Sequence, residues 1–117
     1  MIAPPQHLAL LAGMEAARRE TRRHLDLIQR QIACRAERMT VTEKAKARSH
    51  KRSSTRWTRS DEMLFQAHVE RLTFERRGET ETLSLKLARQ ELAIAALRRR
   101  HELSLTSRRN EVRRSSA

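Results

Sequence analysis

From Thr80 to Val112 the chain runs 33 residues with neither Gly nor Pro, and its apolar residues point in two directions rather than one. Projected at about 100° per residue, Leu83, Leu87, Ile94, Leu97 and Leu105 gather around one direction. Leu85, Ala88, Leu92, Ala95, Ala96 and Leu103 gather around the opposite one, with Arg89, Glu91, Arg98 and Arg100 between them. An unbroken helix here spans about 50 Å. A helix on the outside of a small domain needs only one apolar stripe. Two stripes describe a sandwiched helix: one side packs on its own chain, and the other packs on a third helix of that chain or on a partner. The first helix offers a single narrow seam, which favours a partner against Leu85, Leu92 and Leu103.

The rest of the chain cannot supply much core. Of 117 residues, two are Gly, two Pro, two Phe and one Trp, and Tyr is absent. Few turn formers argue against a β-rich fold. Charged residues make up 34% and mean hydropathy is −0.79, close to the range where burial fails to offset ordering entropy. Net charge is +12, and 22 of the 26 basic residues are Arg. The guanidinium fork suits carboxylate and phosphate oxygens, so polyanions are the expected partners: nucleic acid or an acidic protein surface, and less an anionic membrane.

Pro4 and Pro5 end a short lead over 1–5, and a helix is expected over 6–39. Its seam has two rows: Leu11, Arg18, Leu25, Ile32, Met39 and Met14, Thr21, Ile28, Arg35. Arg18, Arg19, Arg22 and Arg23 form a basic collar beside the weak turn, either solvated or binding. The start resembles a mitochondrial presequence in its arginines, but Glu15, Glu20 and Asp26 interrupt it and the first serine is Ser49. It is therefore read as part of the working protein. The Thr40–Glu43 stretch fits a capping box, so a break is expected there, followed by a basic irregular segment over 40–59. A second helix is expected over 60–77, capped by Thr58 or Ser60, and a third over 80–112, with a basic tail over 113–117. Gly78 either ends the second helix or weakens a continuous one. The expected fold is all-α and elongated: two to three long helices joined by the irregular basic segment, with no compact independent core.

Catalytic signals are missing. Two isolated glycines build no phosphate loop, and the five histidines never meet Cys34 or carboxylates at metal spacing. No serine lies in a Gly-flanked elbow. No enzyme, metal site, cofactor or small-molecule substrate is expected. Cys34 alone makes no disulfide framework, and no apolar run approaches the ~20 residues of a membrane span.

Between Lys44 and Arg59 stand seven Lys or Arg, no retained periodicity after Ser49, and the only tryptophan, Trp57. Three readings apply. The segment is a solvated linker; or Trp57 staples onto the helix start near Asp61 or Glu62; or the segment lies along an acidic groove. In the last, Trp57 anchors and Arg48, Lys51, Arg52, Arg56 and Arg59 pair with carboxylates. The second and third are compatible. Arg98, Arg99, Arg100, Arg108 and Arg109 add an Arg-rich helix surface for a polyanion or partner.

The run LKLARQELAIAALRRRHELSLTSRRNEV, Leu85 to Val112, with RWTRSDEM before it, resembles the closing helix of small cilia- and flagella-associated microtubule inner proteins. The resemblance implies a structural protein threading between tubulin subunits of the axonemal doublet beside other helical proteins, with tubulin's acidic surface explaining the arginines. The residues themselves leave two other readings open. One is a small basic protein of a ribosome, possible in the mitochondrion, that binds rRNA among ribosomal proteins. The other is a coiled-coil adaptor working through the seam from Leu11 to Met39.

Overall fold

The computed structural model describes residues 4–48 and 56–115. They form three helices, α1 (Pro4–Arg48), α2 (Arg59–Glu75) and α3 (Arg77–Ser115), and no strand occurs among the described residues. Two compact units emerge, one from Met1–Arg23 with Ser84–Ala117 and the other from His24–Leu83.

In the first unit, α1 and α3 run antiparallel. His7 stacks on His101 with ring centroids 4.0 Å apart, Glu15 pairs with Arg98, and Arg22 pairs with Glu91 at 2.8 Å. Counting from the stacked rings sets Leu11 opposite Leu97, Met14 opposite Ile94, Arg18 opposite Gln90 and Thr21 opposite Leu87. Both rows advance by alternating steps of four and three residues, as a coiled-coil seam does. Ile94 and Leu97 are buried, and Leu11, Met14 and Leu87 half-buried. The weak turn at Arg18 becomes a polar layer: Arg18 Nε and Gln90 Oε1 are both buried without a hydrogen bond. Such a layer costs stability against an apolar one, and it disfavours registers that would set either polar group against an apolar layer. The collar is therefore largely spent inside the unit. Arg22 binds Glu91, Arg23 lies 3.4 Å from Glu20, and Arg18 is in the seam.

In the second unit α1 and α2 form a helical hairpin. Gln31 accepts from Arg76, His68 lies against Glu43, and Lys44 reaches Asp61, so positions rise along one helix as they fall along the other. Ile28, Ile32, Ala36 and Leu72 are its core, with Met39, Phe65, Val69 and Leu83 packed around them.

Four expectations need correction. First, α1 continues through Thr40 to Arg48 instead of breaking. Thr40 is buried in the hairpin, and the Thr40 and Thr42 hydroxyls donate to the carbonyls of Ala36 and Arg38, so tertiary contact overrides the capping signal. Residues 49–55 lie outside the described residues. Second, α1 already includes Pro4, and α3 extends through Arg113 and Arg114, so lead and tail are shorter than expected. Third, the expected seam is buried or half-buried at every position but Arg35, which is exposed. Burial steps by four from Ile28 through Ile32 and Ala36 to Thr40. A seam spaced this way unwinds locally relative to a strict heptad.

Fourth, the irregularity between α2 and α3 sits at Arg76, not Gly78. Arg76 has φ −100° and ψ 12°, its N–H donates to Leu72 at 3.1 Å, and its carbonyl accepts from Thr80 at 3.1 Å. Its side chain is held by Gln31 at 2.9 Å and by Glu79 at 3.1 and 3.0 Å. Gly78 is an ordinary helical residue without positive φ. Gly13 is helical too, and a Cβ at either position meets nothing within 4 Å. Gly13→Ala and Gly78→Ala are each expected to raise stability by about 0.5–1 kcal/mol, read as a higher thermal midpoint by circular dichroism.

Candidate functional site: the outward surfaces of α2 and α3

The candidate interface residues fall into three groups. Trp57 and its neighbours form the first. Of the two possible caps, Thr58 is used: its hydroxyl accepts from Asp61 N–H at 3.2 Å, and its own N–H donates to Asp61 Oδ2 at 2.7 Å. This reciprocal pair opens α2. Lys44 closes the site from α1, donating to Asp61 at 2.6 Å and to the Arg56 carbonyl. Trp57 Nε1 donates to Glu62 at 2.8 Å, and the ring meets Phe65 edge-on at 6.2 Å. The tryptophan thus packs on the start of its own helix while keeping 41% of its surface exposed.

The same contacts set the local electrostatics. The Lys44 ammonium first, then the Thr58 N–H, holds the Asp61 carboxyl at about 2 against an ordinary 3.8. Gln66 and then Trp57 lower Glu62 in the same way. A depressed carboxyl contributes its stability above the ordinary value and loses it as pH falls through the folded one. The hairpin should therefore weaken as pH drops from 3.8 towards about 2. Asp61→Asn is expected to be less stable at neutral pH and to lack that acid-dependent limb, checked by thermal melts across the window.

The second group is the arginines. Lys51 and Arg52 lie outside the described residues, and Arg48 is the last residue of α1. Arg56 and Arg59 are exposed at the start of α2. Arg98 departs from the expected role, because it is bound to Glu15 within the chain. Arg99, Arg100, Arg108 and Arg109 are exposed. The residue reading missed Arg35 and Arg38, which with Arg76, Gln31, Glu75, Ile32 and Leu72 line a pocket of about 300 Å³ between α1 and α2. Arg35 is a seam position by spacing, yet it is exposed, the one position of that seam that turns outward.

The third group is apolar. Leu85, Leu92 and Leu103 are 59%, 71% and 63% exposed on α3. Leu83, Leu87, Ile94 and Leu97 face inward, as their common direction requires. Leu105 shares that direction but is 44% exposed, because it lies a turn beyond His101, where α1 begins. No known protein family, curated protein or solved structure matches the chain. The site therefore stands on its own geometry. No helix of the structure is long and apolar enough to cross a membrane, and no group of three metal-ligating side chains converges among the described residues.

Proposed function

We propose that the chain is a non-enzymatic structural protein of a large assembly, a microtubule inner protein of a ciliary or flagellar axoneme that binds acidic tubulin surfaces. The observation that carries the assembly reading is an imbalance of apolar side chains. Among the described residues, six apolar residues are buried while twelve large ones are exposed. Single exposed leucines are ordinary on a monomer, but here three align on one helix face beside Arg89 and Arg99, which make no ion pair among the described residues. The axonemal identity adds the resemblance of Leu85–Val112 and of the Arg56–Met63 stretch.

Protein carboxylates suit this surface better than rRNA. Arg22, Arg76 and Arg98 already bind Glu side chains of the chain. The aromatic rings are occupied: Trp57 on Phe65, and Phe74 beneath the Arg77 guanidinium at 3.9 Å. Rings that could stack on bases are therefore few among the described residues, and Trp57 and Phe74 already carry contacts of their own. The adaptor reading loses its seam, since Leu11 and Met14 face α3 and Ile28 and Ile32 face α2.

Pelleting with polymerised tubulin tests the proposal. Binding is expected to survive nuclease and to weaken with salt. Binding lost on nuclease treatment, with RNA affinity falling linearly on a log–log salt plot, would favour the ribosomal alternative instead.

A further inference from the structure

The outward face of α3 carries a seam of its own. Leu85, Arg89, Leu92, Ala96, Arg99 and Leu103 follow at steps of four, three, four, three and four residues. That spacing keeps one side of a helix against a neighbouring helix over about five turns. All six are exposed, on the side opposite Ile94 and Leu97. Glu91 and Glu102 are the acids between Leu85 and Leu103; Glu91 is taken by Arg22, and both lie off this face. Arg89 and Arg99 make no ion pair among the described residues.

We propose that this face docks one helix of an acidic partner protein, with apolar residues against Leu85, Leu92 and Leu103 and carboxylates against Arg89 and Arg99. The inference rests on reading the chain as an assembly component, but not on the assembly being a microtubule. The two seam arginines decide the occupant. Docking any helix here strips water from both guanidinium groups, and only opposing carboxylates offset that loss. A second copy is the wrong occupant: a parallel pair sets Arg89 on Arg89, and a centred antiparallel pair sets Arg89 on Arg99. A nucleic-acid strand would satisfy the arginines but leave the three leucines unburied. Ala96, small and central, allows close approach. The partner must therefore present acids ten residues apart, matching Arg89 and Arg99, with apolar residues between them.

The test uses the full chain and a synthetic helical peptide of about four heptads. Its seam carries leucines and two glutamates at that ten-residue spacing; binding is followed by fluorescence anisotropy. Arg99→Glu is expected to weaken binding by about tenfold or more. A peptide with lysine replacing the facing glutamate should prefer the Arg99→Glu chain over the unaltered one. Leu92→Asp should abolish binding. Arg30→Glu, at an exposed α1 position in the other unit, makes the same change in net charge and should stay within about threefold.

Equal losses for Arg99→Glu and Arg30→Glu, no effect of Leu92→Asp, or no binding at about 100 μM peptide would each overturn the proposal. So would a self-associated chain that Leu92→Asp makes monomeric, or displacement of the peptide by polyuridine in preference to acidic peptide. A chain that passes the charge swap but ignores microtubules keeps this docking face and loses the axonemal reading. A chain that binds microtubules but fails the swap loses only the face.

Discussion

Ile94→Asp is expected to separate α1 from α3 in the unit that pairs them. Ile94 is 1% exposed, and the carboxylate would be buried opposite Met14, cut off from water. A buried charge in a seam one side chain wide costs about 4 kcal/mol or more. That is a large share of the total stability of a small domain. Circular dichroism should show lost helicity or a broad, early melt, and hydrogen exchange should rise along Leu87–His101. Leu92→Asp, two positions earlier and 71% exposed, is expected to stay within about 0.5 kcal/mol of the original chain. The contrast separates folding from docking on one helix.

Ala36→Phe is expected to force α1 and α2 apart in the other unit. Ala36 is fully buried at 0% exposure, in the run where burial steps by four residues from Ile32 to Thr40. With no exposed surface at Ala36, a larger side chain there has no solvent to turn into and must displace the facing helix. An inserted ring costs about 1–3 kcal/mol or more through displaced backbone and strained rotamers. Trp57 is the sole tryptophan, so its emission reports on this unit alone. It should shift to the red at lower denaturant than in the original chain. Ala33→Phe, on the exposed side of the same helix, should leave that midpoint in place.

Much of this arrangement could be read from spacing, and the exceptions have physical reasons. The two faces of α3 were legible because a helix fixes direction by position. Leu105 shows the limit, since burial also depends on where the opposing helix begins. The Arg18 to Thr21 turn was visible as a weak point in the seam, but Gln90 as its counterpart needed the antiparallel register. Thr40 looked like a cap because a threonine's local preference is independent of burial. In the hairpin it is buried, and its hydroxyl turns back to Ala36. Arg98 looked equivalent to Arg99 and Arg100 because sequence cannot tell which of three consecutive arginines meets Glu15. Arg35 occupies a seam position by spacing, and only the packing of the hairpin shows it exposed beside Arg38 at the pocket.

The most direct test of the central claim is the position of a tagged chain in a flagellated cell that makes it, after detergent extraction and nuclease treatment. The account predicts that the protein stays along the axonemal microtubules. Recovery with ribosomal particles or in the mitochondrion, or release from the axoneme by nuclease, would contradict it.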